Sequence, residues 1–206
     1  MKALAPDFYD RPVLEVARAL IGCTLEHEGA AGVIVETEAY HESEPACHAF
    51  VGLTARTRPL FGAPGHAYVY RSYGIHALFN AVCEPVGIGA AVLIRALAPT
   101  HGLEAMRARR ERPSGPESGR RPLRKHDLCS GPGKLTQALD ISLAYNGCAL
   151  DRGPVRILEQ PACARELQVI EGARIGITKA VDLPWRFSLA GDPNVSRPRP
   201  VASTVV

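Results

Sequence analysis

The spacing of hydrophobic positions changes several times along the chain, and each change predicts an element. Asp10-Arg11-Pro12 is a helix-start signal, after which Leu14, Ala17, Leu20 and Ile21 recur at helical spacing up to Gly22. That spacing predicts a first helix with those four residues on its buried face. Short β-branched and apolar runs follow at Cys23 to Leu25, Gly32 to Tyr40, Ala67 to Tyr70, Ala77 to Cys83 and Ala90 to Leu97. Turns such as Glu84-Pro85-Val86-Gly87 separate several of them, which suits antiparallel pairing over short connections. Thr100 is placed to cap a helix presenting Leu103 and Met106, and Ser130-Gly131-Pro132-Gly133-Lys134 opens a short helix carrying Leu135, Ala138 and Leu139. Strand-like runs return at Pro154 to Leu158, Arg174 to Ile177 and Trp185 to Leu189, and no internal repeat interrupts the series. The pattern predicts a mixed α/β (α+β) fold, a single domain over 1–206 around a curved, mainly antiparallel sheet with peripheral helices.

Composition narrows the class of molecule. The 206 residues are 46% hydrophobic and 22% charged, enough for one sizeable core. Met1 to Pro12 has no apolar run like that of a signal peptide, and no stretch approaches the roughly 18 apolar residues of a membrane span. A cytoplasmic protein without a membrane partner is expected. Six cysteines, Cys23, Cys47, Cys83, Cys129, Cys148 and Cys163, form no CxxC pair and read as reduced thiols. A zinc site at His41, Cys47 and His48 matches no usual ligand spacing and lacks a fourth ligand, so no metal is expected. The net charge of +3 says little about partners. Its distribution says more, because Arg107 to Lys125 carries eight Lys/Arg against Glu111 and Glu117. The same segment is rich in Pro, Gly and Ser, and reads either as a surface that steers a polyanion or as a solvated loop.

Candidate chemistry lies where the patterning breaks. Glu36-Thr37-Glu38-Ala39-Tyr40 ends an apolar strand, so period-two alternation puts Glu36, Glu38 and Tyr40 on one face. A carboxylate just beyond Val33-Ile34-Val35 needs solvent or a partner to avoid a desolvation cost of several kcal/mol. Arg95 ends the run Ala90 to Ile94 with the same oddity. Singly, these charges read as edge-strand ion pairs; together they can hold a water. Tyr68, Tyr70 and Tyr73 cluster in a chain with only 6% aromatics. Tyr68 and Tyr70 share a strand face, and Tyr73, before Gly74, suits a loop tip. Such a cluster is either core and rim or, beside a strand-end Glu, a set of stacking plates for a flat heterocycle. The Ser130 to Lys134 segment is not a nucleotide-triphosphate loop, since Leu128 stands where a Gly is needed and Leu135 replaces the Ser/Thr. The amides of Gly131 and Gly133 beside Lys134 suit a backbone phosphate, or form a plain turn.

These segments together resemble one family, the alkyladenine (3-methyladenine) DNA glycosylases. The similar pieces are Ala19-Leu20-Ile21-Gly22, Ile34 to Tyr40, Pro64 to Tyr70 with Tyr73-Gly74, Leu93 to Leu97, Leu128 to Leu135, Arg174 to Ile177 and Trp185-Arg186-Phe187. They run in collinear order over nearly the whole chain. The resemblance implies an enzyme that flips an alkylated or deaminated purine out of duplex DNA and hydrolyses its N-glycosidic bond. Substrates would be of the 3-methyladenine, 7-methylguanine, hypoxanthine and ethenoadenine class. The product would be an abasic site, with no cofactor and the protein acting as a monomer. It implies Glu38 as the general base, with Arg95 and the Ile175 carbonyl holding the attacking water. Tyr40, His48 and Tyr70 would sandwich the flipped base, Asn80 would check the purine 2-position, and Tyr73 would wedge into the vacated stack. His41 and Thr57 depart from the residues usual at their places, which bears on substrate range more than on activity.

The implied chemistry is coherent, because an oxocarbenium-like transition state favours a carboxylate that both activates water and stabilises positive charge. None of Lys2, Lys125, Lys134 and Lys179 falls in the Glu38 or Tyr70 segments, which points away from a Schiff-base nucleophile and toward a monofunctional enzyme. Two rivals stay open. One is a glycosidase using Glu36 and Glu38 as a pair, although side chains on one strand face poorly suit carboxylates that must flank a bond at about 5–9.5 Å. The other is a non-enzymatic nucleic-acid-binding module, for which a Glu facing phosphate makes little sense.

Overall fold

The computed structural model describes residues 1–111, 122–160 and 167–199. Cys163 and the middle of the basic segment, including Arg112, Arg120 and Arg121, lie outside the described residues. Among the described residues, eight strands form one curled antiparallel sheet: β1 (Thr24–His27), β2 (Ala30–His41), β3 (Ala67–Ser72), β4 (His76–Val82), β5 (Ala90–His101), β6 (Val155–Leu158), β7 (Val169–Gly172) and β8 (Arg186–Leu189). The order is β3-β4-β5-β2-β1-β6, with β8 also pairing β2 and β7 pairing β8. The architecture is the expected mixed α/β one, a half-barrel of antiparallel strands with few helices.

Two long central strands explain where the site lies. Along one edge β2 pairs β5 throughout, while its other edge is shared, β1 taking its first residues and β8 taking Glu36 to Glu38. Between these partners the β2–β5 register slips around Val35 and Arg95, so the ladder bends at the charged residues. Alternation sends Ala90, Val92 and Ile94 into the main core and Ala91, Leu93 and Arg95 to the opposite, concave face. Both faces of β5 are covered, which is why it reads as an almost continuous apolar run. The core face is closed by α2 (Val13–Ala19) and α4 (Pro132–Leu139), which contribute Val16, Ala17, Leu135, Ala138 and Leu139.

Several local expectations need correction. The first long helix is α2, preceded by a separate turn of helix, α1 (Pro6–Tyr9), and it buries Val13 and Val16 while Leu14 is exposed. No residue beside it caps it; the Val13 N–H instead donates to Glu84 Oε1 at 2.9 Å. Thr100 is not a helix cap but part of β5, donating to the Ala31 carbonyl. The following helix, α3 (Leu103–Arg110), starts after Gly102, whose φ of 70° and close approach to Gly29 and Ala30 leave no room for a Cβ. Arg174 to Ile177 is loop rather than strand, because its backbone and side chains are used across the sheet face instead of along a ladder, and β7 lies just before it.

Candidate active site

The concave face carries a cavity of about 770 Å³. Its floor is a buried charge network laid down by the bend in β2 and β5. Glu38 has no exposed surface and receives three groups: the Ile175 N–H donates to Oε1 at 2.7 Å, Arg95 Nη1 is 3.2 Å from Oε1, and the Tyr40 hydroxyl donates to Oε2 at 2.8 Å. A carboxylate has about four acceptor positions. One on Oε2 therefore stays open, beside Tyr40, which itself lines the cavity. Burial, and next the Glu38 charge, push the Tyr40 phenol well above its usual range, so it acts as a neutral donor.

Glu36 sits two residues away on the same face and is held by four groups, none of which is a residue lining the cavity except Arg95. Arg186 Nε donates to its Oε1 at 2.6 Å, the Ser196 hydroxyl at 2.9 Å, the Ser196 N–H reaches Oε2 at 2.8 Å, and Arg95 Nε stands 3.3 Å away. Glu36 thus anchors Arg95, which in turn fixes Glu38. An acid/base pair of the two carboxylates does not fit these contacts.

Aromatic side chains wall the space above the floor. Tyr68 and Tyr70 share a face of β3 and stack at 5.4 Å between centroids, and His48 stands edge-on to Tyr70 at 4.6 Å. His48 Nδ1 lies 3.1 Å from the Tyr68 hydroxyl and Nε2 lies 3.3 Å from Arg56 Nη2. Since a guanidinium only donates, Nε2 accepts and Nδ1 carries the proton. Burial, with Arg56 next, holds the imidazole below its ordinary pKa, and burial pushes the Tyr70 phenol up to about 12. Asn80, on β4, donates to the Tyr68 carbonyl at 3.0 Å and closes the inner wall. Tyr40, His48, Tyr70, Asn80, Arg95 and Ile175 all line this cavity, and three of them, Tyr40, Arg95 and Ile175, contact the buried Glu38. Residues from six segments of the sequence therefore converge on one place.

At the mouth, Tyr73 occupies the β3–β4 turn with φ of 49° and is 88% exposed. Gly131, Gly133 and Lys134, at the start of α4, line the same mouth, and Lys134 Nζ is 3.4 Å from the Ser130 hydroxyl. Lys179 also reaches the wall, which its position in the sequence did not reveal.

Other supporting residues escaped the sequence reading. Arg174 forms a bidentate pair with Glu44 at 2.7 and 3.0 Å, donates to the Ala39 carbonyl, and lies over the Tyr40 and Trp185 rings at 4.7 and 5.4 Å. This clamp brings the Ile175 amide onto Glu38. The one available signal was a charged residue inside an apolar segment, as with Arg186. Thr57 is buried and donates to the Gly52 carbonyl at 2.8 Å, so it shapes the loop after His48. His41 faces Glu84 at 3.6 Å, and the Cys47 Sγ accepts from the Ala49 N–H. Among the described residues no group of three or more His, Cys, Asp or Glu is arranged to hold a metal.

Comparison with known proteins gives a consistent result. A family profile described as methylpurine-DNA glycosylase matches residues 7–193. A protein of Bradyrhizobium diazoefficiens is 52% identical over 97% of this chain and 93% of its own length. One of Rhodopseudomonas palustris is 56% identical over 93% and 89%, and one of Nitrosospira multiformis 49% identical over 90% and 89%. All three are provisionally named 3-methyladenine DNA glycosylases.

Proposed function

The chain belongs to the methylpurine-DNA glycosylase family and is a DNA glycosylase, and from that premise we propose that it flips alkylated and deaminated purines out of duplex DNA and hydrolyses their N-glycosidic bond with water activated by Glu38. The observation that carries this reading is the open acceptor position on Glu38 Oε2, under an aromatic-walled cavity and with every other position of that carboxylate fixed. A water there loses its proton to Oε2 as its oxygen bonds to C1′. The electrons of the C1′–N bond leave with the base. Arg95 and the Ile175 amide hold Oε1, so the general base needs no reorganisation as positive charge develops at the sugar. The water-holding role of the Ile175 carbonyl belongs to the same proposal; the contact that the structure records is through the amide.

Tyr40, His48 and Tyr70 would flank the flipped base, Asn80 would exclude a substituent at its 2-position, and Tyr73 would fill the gap in the stack. A methylated, cationic purine departs as a neutral base, whereas hypoxanthine or ethenoadenine needs a proton from a donor. Gly131, Gly133 and Lys134 would hold a backbone phosphate. The proposed enzyme is a monofunctional monomer, so borohydride should trap no covalent adduct even though Lys134 and Lys179 line the wall.

Duplexes carrying one 3-methyladenine, 7-methylguanine, hypoxanthine or ethenoadenine, incubated with and without the protein and then treated with hot alkali, test the reading; because hot alkali alone also breaks strands at methylated purines, only breaks beyond the protein-free control count. Strand breaks at the lesion and none in undamaged duplex are expected. Absence of breaks at every lesion would overturn it.

A further inference from the structure

Ten large hydrophobic side chains are exposed among the described residues, and half of them stand in two short loops: Phe50, Val51 and Leu53 in one, Tyr73 and Ile75 in the other. The second loop is the proposed wedge. The first has no role in the chemistry, yet its apolar side chains are 51, 75 and 67% exposed. They are also held out by a built loop. The Cys47 Sγ accepts from the Ala49 N–H at its start. Gly52 turns the chain with φ of 81°, and the buried Thr57 hydroxyl donates to the Gly52 carbonyl and accepts from the Thr54 N–H at 2.8 Å each. His48 at one end of the loop and Arg56 at the other both line the cavity, with Nε2 and Nη2 3.3 Å apart, so the exposed apolar residues between them stand on a loop that springs from the cavity wall.

Charge selects the occupant. Arg56, at the end of this loop, lines the cavity together with Arg71, Lys134 and Lys179. A surface that pairs cations with exposed apolar groups fits a polyanion that also offers apolar faces. Duplex DNA does so through its deoxyriboses and unstacked bases, and groove-binding proteins commonly press Phe, Leu or Ile against them. A second copy of this chain would bring the same cations against their own kind, since a two-fold contact is self-facing.

We propose that Phe50, Val51 and Leu53 form a second apolar contact with duplex DNA, packing on the sugars beside the nucleotide that enters the cavity and acting alongside Tyr73. The proposal rests on the glycosylase reading of the cavity. It assigns this loop to holding the distorted duplex rather than to the bond-breaking step, and it makes the affinity gained there independent of salt, because apolar burial releases no counterions.

The test compares wild-type protein with the variant Phe50→Ser, Val51→Ser, Leu53→Ser on lesion-bearing duplex, by fluorescence anisotropy over a salt series and by single-turnover excision. Duplex affinity should fall about tenfold, equivalent to about 1.4 kcal/mol, with an unchanged salt slope and an unchanged unfolding midpoint. Phe50→Leu alone should keep the affinity. Should the triple variant unfold, Val51→Ser, at the most exposed of the three positions, gives the same comparison with a smaller expected loss. Undiminished duplex affinity, or a loss that appears only as a change in salt slope, overturns the proposal. So does light scattering that shows a wild-type dimer dissociated by the triple variant while DNA binding is unaltered. If the wild type excises lesions and the variant binds like it, only this inference falls; if the wild type releases no base from any duplex, the glycosylase reading falls first and takes this inference with it.

Discussion

Glu36 and Glu38 are chemically identical, two residues apart on one strand face, and both without exposed surface. Their partners separate them. Glu36 is ringed by Arg186, Arg95 and Ser196, so Glu36→Gln leaves guanidinium charge buried with too little compensation and should destabilise the fold by about 3–5 kcal/mol, read as a lower midpoint in urea denaturation. Glu38→Gln leaves Arg95 its Glu36 partner and should cost much less stability. Excision should instead fall by about 10²-fold or more in single turnover, with lesion binding preserved in a gel shift. Undiminished excision by that variant would remove Glu38 from the mechanism. His48 supplies a pH test. Its folded pKa lies below its unfolded one, so the unfolded chain takes up the proton first. The stability it contributes is complete above about pH 6.5 and is lost as pH falls through the folded value. Urea midpoints between about pH 8 and about pH 5 should therefore fall less steeply in His48→Gln than in wild type. Parallel curves would show that His48 does not titrate as its surroundings imply.

Two elements carry the mouth of the cavity, and each sets a constraint of its own. The β3–β4 turn holds Tyr73 in the left-handed region, a conformation that costs a side-chain-bearing residue about 1–2 kcal/mol. Tyr73→Gly should keep or raise stability by up to about 1 kcal/mol while removing the wedge. Excision by Tyr73→Gly and Tyr73→Ser should suffer most for well-paired lesions and least opposite a mismatch or abasic site, where extrusion costs less. An equal defect on every duplex would remove Tyr73 from flipping. On α4, Gly133 faces His76, and an added Cβ would lie 2.8 Å from its Cγ and 3.0 Å from its Cβ. Alanine normally gains about 1 kcal/mol over glycine in a helix. Here the clash is with the inner atoms of a strand residue, which cannot swing away without moving the strand, so Gly133→Ala should destabilise by about 1–3 kcal/mol. A raised midpoint in thermal unfolding would show that α4 is free to shift.

At the scale of the molecule, a net charge of +3 spread evenly would attract DNA only weakly. The cations are not spread evenly, since Arg71, Lys134 and Lys179 meet at one mouth from three distant parts of the chain. Replacing all three by Gln should weaken binding to every duplex alike and reduce the slope of log affinity against log salt by about 0.9 for each phosphate that the variant no longer neutralises. A slope identical to wild type would place the phosphate path elsewhere, with the Arg107 to Lys125 segment as the next candidate.

The sequence alone determined most of the framework and marked the centre of the site. Strand periodicity is local, so the alternation in β2 to β5 announced which faces are buried, and charges at Glu36, Glu38 and Arg95 stood out because they break an apolar run. The tyrosines of β3 were legible for the same reason. The tertiary structure decided which groups satisfy those charges. The Ile175 amide reaches Glu38 across 137 residues, Ser196 reaches Glu36 across 160, and Arg174 reaches Glu44 across 130. None of these pairings has a period or a spacing to read. The errors at Thr100 and at Arg174 to Ile177 have that origin, since a local cap signal and a local strand signal were both overruled by partners from elsewhere in the chain. Hydrophobic pattern tells a residue which way to face, whereas the partner that a buried charge finds there is set by how distant segments close around it.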